Sequence, residues 1–237
     1  MRAGLANTSM TQVRAILFDA VGTLIRPEPA VAAAYHRAGR RFGSRLTEAE
    51  LRTRFSRSFA RLEAEDATER RNRTDEARER ERWQQIVAEV FDDVTEQEGL
   101  FRDLWEHFAT PENWRLFDDA ADCLRRLQQR GDIVLGIASN FDRRLERIVA
   151  AFPELSPARH VFVSSQLGFR KPAGGFFSAI EQALKLTPKE ILLVGDDEEN
   201  DYLGAKDAGW QAIIIDRDRK QATPGKLRSL VEMAGNW

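Results

Sequence analysis

Five acids crowd the short stretch "GDDEEND", where Asp196, Asp197, Glu198, Glu199 and Asp201 fall within about one turn after an apolar run. Carboxylates this close repel unless a cation or a proton shares their site. Oxygen donors of this kind suit Mg²⁺, which takes one or two carboxylates and keeps several of its waters. Other apolar runs also stop at a polar residue. "ILFDAVGTLI" breaks at Asp19, "GIASN" ends on Ser139 and Asn140, "FVSS" on Ser164 and Ser165, and "AIIID" on Asp216. "DDEENDY" is not an EF-hand loop, because Tyr202 stands where that loop needs glycine.

For these residues to meet, the elements carrying them must end at one edge. Short β-rich runs recur at 13–18, 132–138, 160–163, 190–195 and 211–216. Helical patterns separate the later ones: "AADCLRRLQQR" closed by Gly131, "RRLERIVAAF" closed by Pro153, "GFFSAIEQALKL" and "NDYLGAKDAG". Runs that are apolar throughout read as strands buried on both faces, and their alternation with helices predicts right-handed crossovers in a parallel sheet. The fold class is therefore α/β, and in a doubly wound sheet ligands gather beyond the carboxyl ends of the strands.

Residues 26–112 differ, being charged and almost strandless. Leu51, Phe55, Phe59 and Leu62 recur at helical spacing, as do Trp83, Ile86, Val87, Val90 and Phe91. This predicts a helical domain inserted after the first strand, with 11–25 and 113–237 forming the core domain and 1–10 a disordered extension. The charged middle, Glu63 to Arg82, reads as a solvated helix face, a mobile loop or a partner-binding surface.

Composition narrows the classes. Thirty-six basic residues against 38 acidic ones give a formal charge of −2, which supplies no field to gather nucleic acid or an anionic membrane. The single cysteine, Cys123, cannot close an intrachain disulfide, and the expected location is the reducing cytoplasm. Neither a signal-peptide core nor a membrane span is legible. A serine-hydrolase elbow is excluded, since neither "VSSQLG" nor "IASNF" has its glycines.

"FDAVGTL", "IASN", "RKP" and "VGDDEEND", in this order and with a helical insertion between the first two, resemble the four motifs of the haloacid dehalogenase-like hydrolases. "SNFDRRLE" and "SSQLGFRKPAGGFFSAIEQAL" strengthen the likeness. The resemblance implies a Rossmann-like core with an all-helical cap, and a small phosphorylated molecule as substrate. It implies that Asp19 is a nucleophile forming an aspartyl-phosphate. Thr23 and Ser139 would offer hydroxyls to the phosphoryl group, with Asn140 beside them, and Lys171 would neutralise nucleophile and phosphoryl group alike. Asp19, the backbone carbonyl of Val21, Asp196 and Asp201 would hold Mg²⁺.

One position departs from the pattern. Most phosphatases of this family carry a second Asp two residues after the nucleophile, as general acid and base, and here that place is Val21. Loss of such a group typically costs about 10²–10⁴ in rate. Three readings follow: a phosphatase slow on alkyl esters and better on aryl or acyl phosphates, a metal-independent 2-haloacid dehalogenase, or a ligand-binding relative without turnover. His36, in the first cap helix, is a candidate to face substrate or replace the lost acid. The arginines of "YHRAGRR" either favour acidic substrates or pair with "EAEDATE". The sequence leaves oligomeric state open.

Overall fold

Strand β1 (Ala15–Phe18) is buried along its whole length, and its side chains divide between two cores. Ile16 and Phe18 join one cluster, while Ala15 and Leu17 join another on the opposite face. That alternation is the pleat of a central strand covered on both sides. The computed structural model describes residues 13–68, 72–217 and 226–234, so the predicted 1–10 extension lies outside the described residues.

After β1 the chain forms β2 (Ile25–Pro27) and four helices, α1 (Val31–Arg41), α2 (Glu48–Thr68), α3 (Glu76–Val90) and α4 (Gln97–His107). It returns through β3 (Trp114–Leu116) and α5 (Asp118–Gln128). There follow β4 (Val134–Ser139), α6 (Arg144–Ala150), β5 (His160–Val163), α7 (Ser164–Leu167), α8 (Gly174–Leu184), β6 (Ile191–Gly195), α9 (Gly204–Asp207), β7 (Gln211–Ile215), β8 (Lys226–Leu227) and α10 (Leu230–Ala234). The six-stranded sheet runs β5-β4-β1-β6-β7-β8 with every pairing parallel. All five predicted strands are present. The pair β2–β3 is antiparallel, and its two strands bracket the helical insertion.

The insertion has a cluster of its own, in which Tyr35, Leu51, Ile86, Phe91, Leu100 and Leu104 are buried. Its helices start on local signals. Thr47 and Glu50 form a reciprocal cap before α2, with Thr47 N–H donating to the Glu50 carboxylate at 2.8 Å. The Asp75 carboxylate accepts the Arg78 N–H at 2.8 Å at the start of α3.

Part of the charged stretch Glu63 to Arg82 turns inward, while Glu65, Arg73, Asp75, Arg80 and Glu81 stay exposed and residues 69–71 lie outside the described residues. Glu79 and Arg82 are buried, and Glu63 with Glu79 meets Arg170 of the core, at 2.9 and 2.5 Å. Arg82 also pairs with Glu63, and Thr74 donates to Glu79 at 2.8 Å. Backbone bonds join the same surfaces: Arg170 N–H donates to Asn72 O at 2.9 Å and Thr74 N–H to Gly168 O at 3.1 Å. Glu63, Thr74 and Glu79 thus lie at the seam of the insertion with the core. Of the arginines of "YHRAGRR", Arg41 pairs with Asp103 and Arg40 donates to Ser44 O at 3.5 Å.

Candidate active site

Register places the site. Phe18 is level with Ile137 on one side and Val194 on the other, so Asp19, Ser139 and Asp196 emerge together past the carboxyl ends of three adjacent strands. The Asp19 N–H donates to Val194 O at 2.8 Å, one last parallel-sheet bond that fixes where its side chain leaves. Gly22 follows at φ +91°, a left-handed turn that any Cβ would strain. A Cβ there would also run into the Asp196 carboxylate, and one at Gly195 would run into Asp201. The two glycines are what let the acids approach.

Lys171 reaches between them. Its Nζ donates to Asp19 Oδ1 at 2.8 Å, to Asp201 Oδ1 at 2.5 Å and to Ala138 O at 2.9 Å. Asn140 holds the lysine from behind, accepting Lys171 N–H at 2.7 Å and donating to Lys171 O at 3.0 Å. Asp201 is fixed further by Asp197 N–H at 3.1 Å, within the π-helical turn Glu198–Leu203 that follows. Asp197 itself caps that turn, accepting the N–H groups of Glu199 and Asn200.

The electrostatics are those of a site short of positive charge. Burial raises the Asp19 carboxyl above the usual carboxylate range; Lys171 opposes the rise and the charge of Asp196 adds to it. Burial, less the pull of Lys171 and with the added charge of Asp19, pushes Asp201 up to about 6. Desolvation followed by the Asp201 charge does the same for Asp196, also to about 6. Asp196 keeps solvent access, so water screens part of that effect. Burial works against the charge of Lys171, yet Asp19 and Asp201 outweigh it and hold the ammonium above the ordinary lysine range.

One oxygen from each of Asp19, Asp196 and Asp201 lies within 4.8 Å of the others. Three carboxylates face a single ammonium there. The donor set fits a hard divalent cation, and Lys171 bridges Asp19 with Asp201 rather than with Asp196, so it does not fill the gap between the latter pair.

Thr23 and Asn140 both hydrogen-bond to other residues of the site. Thr23 is fully buried, does not line the cavity and donates to Asp196 Oδ1 at 3.1 Å, so it positions an acid. Asn140 lines the cavity but spends its amide on the Lys171 backbone. His36 is only partly buried and is not among the cavity-lining residues; its neighbour Tyr35 is. Ser139 and Val21 line the cavity beside Asp19, and the Ser139 side chain is the smallest of the influences that oppose the rise of the Asp19 carboxyl. Ser164 instead donates to Phe141 O at 3.1 Å and Ser165 to Glu76 Oε1 at 2.6 Å, while the Asp216 N–H bonds β8 at Leu227 O.

Sequence reasoning missed two arginines. Arg217 donates to Gly22 O at 3.2 Å and Thr23 O at 2.6 Å while forking onto Asp119, which braces the loop after Asp19. Arg144 forks onto buried Asp142 and stacks on Trp105 of α4, its guanidinium carbon 3.3 Å from the ring centroid. Both sit beside strand-end loops, the one local signal they carry.

The parallel sheet, the helical insertion and the carboxylate–lysine cluster at the strand ends define a Rossmann-like α/β core with a helical cover. A family model for the haloacid dehalogenase-like hydrolases matches residues 13–209, and the chain belongs to that family. A zebrafish (Danio rerio) relative, "Haloacid dehalogenase-like hydrolase domain-containing protein 3", is 26% identical over 216 residues, covering 89% of this chain and 88% of its own. Among solved structures, the putative HAD-hydrolase YfnB of Bacillus subtilis bound to magnesium superposes with a TM-score of 0.75 at 20% identity, covering 95% and 98% of the two chains. A HAD phosphatase from Thermococcus onnurineus gives 0.66 at 23% identity (94% and 97%), and the L-2-haloacid dehalogenase of Xanthobacter autotrophicus 0.70 at 17% (94% and 97%). At these identities the structures establish the fold. Among the described residues no helix is long and apolar enough to cross a membrane.

Proposed function

We propose that this protein is a Mg²⁺-dependent phosphatase that acts on a small phosphorylated metabolite through an aspartyl-phosphate on Asp19. The carrying observation is the surplus of negative charge: Asp19, Asp196 and Asp201 within 4.8 Å of one another, with Lys171 on only two of them. Asp19, Asp196 and Asp201 would hold the ion with the Val21 carbonyl, and the bound ion would neutralise the phosphoryl oxygens and the acids. Lys171 adds a fixed ammonium beside the nucleophile, and Ser139 offers a hydroxyl there. Thr23, Asn140 and Arg217 keep these groups in place. Val21 offers no proton, so turnover is slow and favours leaving groups that depart as stable anions.

The dehalogenase reading is weaker on two grounds. A carboxylate nucleophile for alkyl halides gains nothing from two further acids beside it, which raise its pKa and blunt it. Phe177, where the resemblance would place a hydroxyl-bearing residue, is fully buried against Trp210.

The deciding experiment follows inorganic phosphate release from acetyl phosphate with Mg²⁺ and with a chelator, in the wild type and in Asp19→Asn. Metal-dependent release that vanishes in the variant supports the reading. Halide release from a 2-haloacid in chelator would replace it with dehalogenation. Absence of turnover with a phosphate-induced rise in Tm would replace it with ligand binding.

A further inference from the structure

The cavity above Asp19 encloses about 350 Å³, within the range that holds a drug-sized ligand and far more than a phosphoryl group fills. Its upper wall is aromatic. Phe55, Phe59, Trp83, Trp105 and Phe108 come from the cap, and Phe141 comes from the core. All six are only partly buried, although the cap ones belong to or pack on its apolar cluster, so their free faces front the cavity. Elsewhere among the described residues, Val134 and Leu203 are the exposed large apolar side chains. Partly buried rings also occur away from the cavity, Phe42, Phe117, Phe152, Phe162 and Phe169 among them, but these six meet in one place, on the wall of the cavity that Asp19 also lines.

Two groups of rings meet through Tyr35: Phe55 to Trp83 is 6.4 Å between centroids and Phe59 to Trp83 6.2 Å, Phe108 to Trp114 6.3 Å and Trp114 to Phe141 6.1 Å, and Tyr35 lies 5.2 Å from Phe55 and 6.2 Å from Phe108. The charged groups on the cavity lining are engaged with one another. Arg170 meets Glu63 and Glu79, Arg82 meets Glu63, and Arg144 forks onto Asp142. Glu63 and Glu79 thus meet Arg82 and Arg170 at the cap–core seam.

Resting on the phosphatase reading above, we infer that the substrate is a phosphate monoester of a planar aromatic alcohol. Its ring packs against the cap aromatics while its phosphate meets Asp19 and Lys171. Such a leaving group also answers the absence of an acid at Val21. Asp19 forms a bond to phosphorus as the ester P–O bond breaks, and the electron pair departs on the aryloxide, which takes its proton from solvent. Water then attacks phosphorus, the Asp19 O–P bond breaks, and inorganic phosphate and the free carboxylate result, with the water proton passing to solvent.

The test compares 2-naphthyl phosphate, acetyl phosphate and ethyl phosphate under Mg²⁺, with quenching of tryptophan fluorescence by 2-naphthyl phosphate as a separate binding readout. Expected is a kcat/KM for the naphthyl ester roughly tenfold or more above acetyl phosphate, the gain lying in KM, since ring packing in a buried aromatic pocket carries binding. Trp83→Ala raises KM for the naphthyl ester by more than it does for acetyl phosphate; should that variant fold poorly, Phe59→Leu gives the same comparison. Equal or better use of acetyl or ethyl phosphate overturns the ring inference and leaves the phosphatase reading standing. Saturable quenching without any phosphate release overturns the phosphatase reading and keeps ring recognition.

Discussion

Lys171 Nζ lies 2.8 Å from Asp19 Oδ1 and 2.5 Å from Asp201 Oδ1, with the lysine and Asp201 almost wholly buried. One ammonium therefore joins β1 to the turn after β6, and removing it leaves two buried acids facing each other. Breaking a buried ion pair from one side costs about 3–5 kcal/mol. Lys171→Met should lose about that much stability in urea melts and all measurable turnover. Unchanged melting would show that the ammonium is not what holds these acids.

Metal and pH should be linked through Asp201. Its folded carboxyl is raised to about 6 from an ordinary 3.8, so without metal the folded chain holds its proton more tightly than the unfolded chain. The stability this lends is complete below about pH 4 and is lost as pH rises through about 6. Asp196 acts in the same direction, with less weight because water reaches it. A cation binds the ionised acids and displaces those protons. The Mg²⁺-induced rise in Tm should accordingly be larger at about pH 7.5 than at about pH 5. Differential scanning fluorimetry at both pH values checks this, and an equal or reversed response rules the linkage out.

Val21→Asp should restore the missing proton partner. Acid–base assistance is worth about 10²–10⁴ in rate, and the gain should be greatest for alkyl esters. On the proposed aspartyl-phosphate route Val21 leaves the second step without a base, so rapid mixing with 4-nitrophenyl phosphate should show a burst of nitrophenol close to the enzyme concentration. The variant should lose that burst as hydrolysis of the intermediate catches up. A linear wild-type trace would mean that formation of the aspartyl-phosphate is the slow step.

The strands and the principal acids were legible because their signals are local. Apolar runs such as "ILLVG" are buried along their whole length, and a polar residue closing each run marks the rim of the sheet. β2, β3 and β8 were not legible, because two or three residues such as "IRP" show no period. Asp19, Lys171, Asp196 and Asp201 fell on motif positions, and the fold brings them together. The roles of Thr23 and Asn140 were hidden since their partners lie 173 and 31 positions away. For Arg170 the distance is 91 residues to Glu79 and 107 to Glu63. No window of sequence shows that a charged helix face will turn inward on an arginine so remote.

Gly22→Ala and Gly43→Ala form a matched pair. Both glycines have positive φ, +91° and +87°, but a Cβ at Gly43 meets nothing within 4 Å whereas one at Gly22 meets the Asp196 carboxylate. Left-handed backbone alone costs an L-residue about 1–2 kcal/mol, which Gly43→Ala should show and little else. Gly22→Ala should cost more and displace Asp196, weakening Mg²⁺ binding by titration calorimetry. Equal effects on Mg²⁺ affinity would remove Gly22 from the metal site.

Arg170 ties the cap to the core one residue before Lys171. Its guanidinium meets Glu79 at 2.5 Å and Glu63 at 2.9 Å, and its own N–H bonds Asn72 O at 2.9 Å. Glu79 is the deepest member of this network and has Thr74 as its other donor. Arg170→Met leaves Glu79 with that hydroxyl alone and should cost about 3 kcal/mol, while Arg170→Met with Glu79→Leu should recover much of it, because an apolar pair carries no uncompensated charge. Hydrogen exchange separates seam from core: Thr74 and Arg170 amides should exchange faster in the single variant, with the β1 and β6 amides protected as before. If the β1 and β6 amides loosen equally, the ion pairs support the whole fold rather than the closure of the cap over Asp19.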